Sequence, residues 1–273
     1  MVDFRSLQIE HFCEQLTYHH HRIYGESEIE LLQNTLNISR MALAKMSISN
    51  SLFLNVNHTK RAGIIALEIL DGVLHDSGFV DPRLFFNLIM ATLISHVGIV
   101  GGMLEEDETN PNQPTEKYYV GKGKYQTFNA PSSGSVLWPY YKERSLLFVD
   151  KNFRSLKNFN AEEVKLAIKS SDIAVKETPS NKTDLCRLVR AAHIFAYMTQ
   201  SQYNQWLVRL YRSLEEAGLI EGLGFNDLGE FRTNYKSYFW DNFLPDLTYA
   251  IKLLNGTGAG KALIAIVYAR MSV

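Results

Sequence analysis

Cysteine is nearly absent from this chain: 273 residues hold only Cys13 and Cys186. No spacing joins the two into a motif, so they read as reduced, small apolar residues of a cytosolic protein. An excess of charge is missing too. Twenty-eight basic residues face 29 acidic ones, for a formal net charge of -1, and basic side chains are spread among acidic ones. No global field therefore favours nucleic acid or an anionic membrane. Nor does any stretch approach the roughly 18 uninterrupted apolar residues of a membrane span. The opening Met1-Val2-Asp3-Phe4-Arg5 starts no signal peptide, because no long apolar run follows a basic segment. These absences lead to the expectation of a soluble, cytoplasmic protein with no nucleic-acid or membrane partner. What is present is 46% hydrophobic and 21% charged, an ordinary globular balance over a length that can bury a sizeable core.

Helical periodicity runs through the chain, with no β-rich region and no repeat. Residues 3–23 place Phe4, Leu7, Ile9, Phe12 and Leu16 at helical spacing, ending in His19-His20-His21-Arg22. Neighbouring helical residues point in different directions, so this triplet is a poor chelator and reads as a solvated basic helix end. Residues 27–47 form a second amphipathic pattern, with Ser27 and Glu30 at capping-box spacing. A polar connector, 49–57, delivers His58 to a third helix whose buried face carries Ala62, Ile65, Ile69 and Leu70. Asp81-Pro82 opens a fourth, with Asp81 as N-cap and Pro82 at the first helical position. That helix is apolar nearly all round, as the central helix of a domain is, and it ends at Ser95-His96. Residues 103–137, with the acidic run Glu105-Glu106-Asp107-Glu108, prolines at 111 and 114 and a Gly-Lys-Gly-Lys run, read as a long irregular insertion able to cover a pocket facing His96. Its acidic run reads as solvated. Helical pattern returns at 140–151, 161–174, 183–198 and 201–217, then from 228 to the end among many aromatics. The expected fold is all-α, a single domain over 1–273: N-terminal helices in 1–48, a core in 49–200 carrying the loop 103–137, and C-terminal helices in 201–273.

Two motifs look like chemistry and are not. Gly256-Thr257-Gly258-Ala259-Gly260-Lys261-Ala262 resembles a phosphate loop, but Asn255 stands where that loop needs glycine and Ala262 where it needs Ser or Thr. It reads as a turn between helices. His75-Asp76, in a polar turn before Asp81, reads as helix capping rather than metal ligation.

Three motifs occur in an order that carries a resemblance. Phe53-Leu54-Asn55-Val56-Asn57-His58-Thr59 opens a helix, Ser95-His96-Val97-Gly98-Ile99-Val100-Gly101-Gly102 ends an apolar one, and Leu188-Val189-Arg190-Ala191-Ala192-His193 lies in a distant one. This order resembles the HD-domain metal-dependent phosphohydrolases, close to the phosphodiesterase-type helical domains. Pro139-Tyr140-Tyr141 through Arg144, and Asn234-Tyr235 to Phe239-Trp240-Asp241, extend the likeness from about residue 50 to the C-terminus. In that family the motifs bring metal ligands to one point. The resemblance therefore implies that His58, His96 and His193 surround a common centre.

The departures are specific. The family's general-acid histidine falls on Leu54, which has no proton to donate. Its paired His-Asp ligands fall on Ser95 and His96, and its final aspartate on His193. Phosphoester hydrolysis there depends on those carboxylates and on a metal-activated water. The expectation is a family member with the usual site lost, a pseudoenzyme that binds a small-molecule ligand, a protein partner or a second copy of itself. The alternative is a metal-dependent hydrolase of altered chemistry, with a mononuclear three-histidine centre holding zinc, nickel or iron. In that alternative Ser95 orients a bound water, and Arg144 and Arg190 take an anionic substrate. Ligation needs neutral imidazole, so it is expected to weaken below about pH 6.5.

Overall fold

The computed structural model describes residues 4–110, 112–153, 156, 159–172 and 183–272, with the side chains of 4, 5 and 272 outside that description. Eleven α-helices and one two-stranded sheet make up its regular structure, so the all-α reading holds. The side chain of Phe4, residues 1–3, Pro111 and the expected helical residues 173 and 174 lie outside the described residues.

The centre is a set of three helices. α3 (Val56–Ser77) begins where the Asn55 side chain accepts from the amides of Asn57 and His58, satisfying two of the helix's orphan donors. α4 (Pro82–Ile94) is capped by Asp81, whose side chain accepts from Arg83 N, with Pro82 in the first turn. α7 (Asp184–Met198) starts at Thr183, whose hydroxyl accepts from Cys186 N. All three pack on one another. Every residue of α4 from Phe85 to Ile94 is buried, and at roughly 1.5–3 kcal/mol for each large apolar side chain this helix anchors the core. Among the described residues, Pro82–Ile99 is long and apolar enough to cross a membrane, but 83% of it is buried inside the fold, as in a core helix.

Around this centre, α1 (Phe4–Tyr24) packs on α3 and α2 (Ile29–Met46) on α4. α5 (Tyr141–Asn152) and α6 (Ala161–Ser170) cover the α4 side, and α10 (Leu244–Leu254) covers α3 and α7. α8 (Tyr203–Glu216), α9 (Leu228–Asn242) and α11 (Gly258–Ser272) complete the C-terminal end. Of the phosphate-loop look-alike, Gly256 and Thr257 lie in the turn between α10 and α11, and Gly258 to Ala262 open α11. Both cysteines are free and buried. Asp76 lies in the last turn of α3 and pairs with Lys252 at 2.9 Å.

Three local expectations are corrected. Residues 103–137 are not wholly irregular: β1 (Thr115–Gly121) pairs antiparallel with β2 (Lys124–Asn129), in a register running from Thr115↔Asn129 to Gly121↔Lys124. The Gly-Lys-Gly run is the hairpin turn, since Gly121, Lys122 and Gly123 all have positive φ, the conformation that tight hairpins demand. The capping box on α2 does not form. Glu28 is the N-cap, in a left-handed conformation with no side-chain bond, and the Ser27 hydroxyl donates back to Tyr24 O at 2.7 Å. Finally, His19 and His20 are buried rather than solvated. His19 Nδ1 lies 3.2 Å from Asp71 Oδ2, and His20 Nε2 lies 3.1 Å from Glu28 O. The N-terminal helix turns this end into the molecule because Asp71 and the α2 entry sit beneath it.

Candidate metal centre

Each central helix delivers one histidine. His58 stands in the first turn of α3, His96 immediately after α4 in the step to a 3-10 turn (Val97–Ile99), and His193 in the body of α7. They are 1%, 2% and 0% exposed, out of reach of bulk water. One nitrogen from each lies within 4.8 Å of the others, so the group can hold a metal ion. Among the described residues, no carboxylate belongs to it.

The closest pair is His193 Nδ1 and His58 Nε2 at 3.3 Å. Two imidazole nitrogens each about 2.0–2.1 Å from a tetrahedral ion stand about 3.3–3.4 Å apart, so this edge already has the ligated spacing. The His96 ring centroid is 4.2 Å from that of His193 and 5.4 Å from that of His58. His58 Nδ1, His96 Nδ1 and His193 Nε2 are buried without a hydrogen-bond partner, as is Thr92 Oγ1 one turn back along α4. Orphaned buried polar atoms are uncommon and need an explanation. On His58 and His193 the orphaned nitrogens are the ring atoms opposite the 3.3 Å pair.

Burial sets the protonation state. Desolvation pushes His58 down to about 3. His96 is held well below the ordinary range by burial, then by the charges of His193 and His58. His193 is lowered by burial and by His58, against the Thr92 backbone carbonyl, which favours the charged ring. Neutral imidazole is the ligating form. The expected weakening below about pH 6.5 is thus displaced to lower pH, because a closed apolar site resists protonation more than an exposed histidine does.

Aromatic side chains wall the group. Phe53 lies 5.3 Å from the His58 ring and stacks on Trp138 at 5.8 Å, and Tyr141 lies 5.3 Å from His96. Tyr197, one turn beyond His193, is fully buried and bonded to Tyr235 at 2.8 Å between hydroxyls. Leu54, at the position of a general acid, is buried and supplies no proton.

The other predicted site residues have different work. The Ser95 hydroxyl donates its proton to Ala91 O at 2.6 Å, the local back-bond of a helical serine. Arg144 is not an anion receptor. Its Nε donates to Gly98 O, its Nη1 to Asp107 Oδ1 and Tyr119 O, and its Nη2 to Val100 O and Asp107 Oδ2. All five N–H groups are consumed. Asp107, taken in sequence as part of a solvated acidic run, is the fully buried counter-ion. Together they clamp the turn that carries His96 to α5 and the hairpin. Gly98 fits there because a Cβ would stand 2.0 Å from Tyr141 O. Arg190 is likewise structural: its Nη1 donates to Ser170 O and Asp172 O, and its Nε lies 2.9 Å from Asp246 Oδ2.

The sequence reading missed the aromatic wall and the Arg144–Asp107 clamp. Aromatics that line a site look like core aromatics in sequence, and nothing local pairs residues 107 and 144.

Fold and site together define a mostly helical protein with a buried group of three histidines. The chain matches the Npun_R2479-like family over residues 2–273, and it belongs to that family. No curated protein and no solved structure matches it.

Proposed function

We propose that this protein is a metal-binding member of an HD-phosphohydrolase-like lineage that has given up phosphoester hydrolysis. It holds a single transition metal ion, zinc, nickel or iron, on His58, His96 and His193. The observation that carries the reading is the meeting of three buried, neutral imidazoles from sites far apart in sequence, within 4.8 Å and with no carboxylate among them. Nitrogen-only donor sets suit these borderline metals and not the hard cations that carboxylates hold. The likeness to the phosphohydrolases rests on the order of motifs in the sequence, and the convergence of the three motif histidines is what that likeness implies.

A non-hydrolytic role is favoured by the same geometry. Catalytic metal sites keep a position open to water or substrate. These three side chains are sealed, Leu54 replaces the acid, and the two arginines proposed for substrate are engaged in structural bonds. The metal is then itself the ligand, and its work is to fasten α3, α4 and α7 together.

The test is metal analysis of untagged protein purified without chelator. The expected result is a stoichiometric transition metal, lost in His58→Ala and His96→Ala, with no phosphatase or phosphodiesterase turnover in any form. Absence of metal, with thermal stability unchanged on adding zinc, nickel or iron(II), overturns the metal reading. Phosphoester turnover that His58→Ala abolishes overturns the non-hydrolytic one.

A further inference from the structure

Elsewhere in the molecule, several buried and half-buried cations face carboxylates. Arg22 meets Asp71, Lys142 meets Asp172, Arg144 meets Asp107, Lys165 meets Asp150 and Arg190 meets Asp246. One region gathers cations that do not. A cleft of about 540 Å³ is lined by Gln202, Tyr203, Asn204, Lys236 and Arg270 among others. A second, of about 380 Å³, shares Tyr203, Asn204 and Lys236 and adds Arg232. Among the described residues, Arg232, Lys236 and Arg270 have no carboxylate partner. Residues 201–213, which supply about half of this lining, contain no Asp or Glu; most of the rest comes from α9, whose Glu230 and Asp241 are not among the residues lining either cleft.

Two cations of this region, Arg61 and Arg270, are close enough to repel each other. Arg270 lies over the Tyr203 ring, 5.2 Å from its centroid, and donates to Met198 O. Behind it Arg61 donates to the hydroxyl and carbonyl oxygens of Thr199. Burial lowers the Arg61 guanidinium first, and the charge of Arg270 lowers it further. Gathering like charges with neutral partners alone is unfavourable, and an anion in the cleft relieves it. The backbone adds to the attraction. α8 runs for 14 residues from Tyr203, and its N-cap Gln202 makes no side-chain cap bond. The amides of Gln205 and Trp206 bond to Gln202 O, which leaves those of Tyr203 and Asn204, with the positive dipole end, for an anion.

We propose that this groove is a binding site for a phosphate-bearing small molecule. Lys236, Arg270 and Arg232 take the phosphate oxygens together with the first amides of α8. Tyr203 and the Gln202 and Asn204 amides face whatever the phosphate is attached to. Charge-assisted bonds from several cations to one group are the strong class of such contacts. Arg144 and Arg190, expected from the sequence to take an anion, are engaged within the fold, whereas Arg232, Lys236 and Arg270 have no carboxylate partner among the described residues. This site is independent of the histidine centre.

The test is calorimetric titration of the full chain with tripolyphosphate and, separately, with ATP at low salt and at physiological ionic strength. Lys236 and Arg232 make no side-chain hydrogen bond within the described residues, so Lys236→Gln and Arg232→Gln keep the fold. Lys261→Gln, at the other end of α11, is the control. The expected result is saturable tripolyphosphate binding, about tenfold weaker in Lys236→Gln, weaker still in the double variant and unchanged in Lys261→Gln. ATP binding tighter than tripolyphosphate assigns a nucleotide, and equal binding assigns the phosphate chain alone. No saturable binding of either probe, or an equal loss in Lys261→Gln, overturns the proposal.

Discussion

Two groups of histidines behave in opposite ways. His19, His20 and His21 are consecutive in sequence and separate in space: one lies against Asp71, one against Glu28 O, and one 3.0 Å from Gly25 O. His58, His96 and His193 are far apart in sequence and share one point in space. The first group disperses because each step along a helix turns the side chain by about 100°. The second converges because three helices cross and each presents one residue to the crossing. Adjacency in sequence is thus a poor guide to a metal site in a helical protein. Position on crossing helices is a better one.

The largest effect expected is at the clamp behind His96. Arg144→Met leaves Asp107 buried without its cation, and should cost about 3–5 kcal/mol of folding stability. It also frees the turn from Val97 to Val100, so metal binding should fall with it. Denaturant midpoints and metal content measure the two effects. A variant as stable as the parent would mean that the clamp does not hold this turn.

Next in size is the contrast between the two groups. Asp71 is buried beneath His19 and Arg22, with Arg22 Nη1 2.7 Å from its carboxylate. Asp71→Asn should cost about 3 kcal/mol, the lower end for a broken buried pair because Arg22 is half exposed, and should leave metal content unchanged. His96→Gln should do the reverse, abolishing metal while costing the metal-free chain only about 1 kcal/mol. Loss of metal in Asp71→Asn would show that the two groups are not independent.

The smallest effect is a pH slope. His20 is kept neutral chiefly by burial, against the Glu28 carbonyl that favours its charged form, and with His21, Tyr24 and Phe85 around it. Its folded pKa is lowered, so below about pH 6.5 the unfolded chain binds a proton that the folded chain does not. Stability is therefore full above that pH and is lost as pH falls. His20→Phe should flatten the acid side of the stability curve by up to about 1.4 kcal/mol per pH unit. An unchanged slope would show that His20 takes up its proton in the fold.

Much of the architecture was legible in one dimension. Asp81-Pro82, the apolar run after it and the recurring amphipathic periods mark helices by local physics, and the structure has them. The hairpin was legible too, in Tyr118, Tyr119, Tyr125 and Phe128 flanking a Gly-Lys-Gly turn, but the prolines and acids around it hid the signal. The false capping box has another cause. Ser27 and Glu30 have the right spacing, yet the chain reaches α2 through a left-handed Glu28 because His20 holds its carbonyl.

By itself the sequence determined most of the helices, the Asp81 cap and the three motif histidines, because those rest on side-chain period and nearest-neighbour bonding. It did not determine what the charged side chains do. Whether Arg144 meets a substrate or Asp107, whether His19 is solvated or buried, and whether Arg270 has a carboxylate depend on contacts between residues distant in the chain. In a low-dielectric interior such contacts outweigh local preference, and only the tertiary structure decides them.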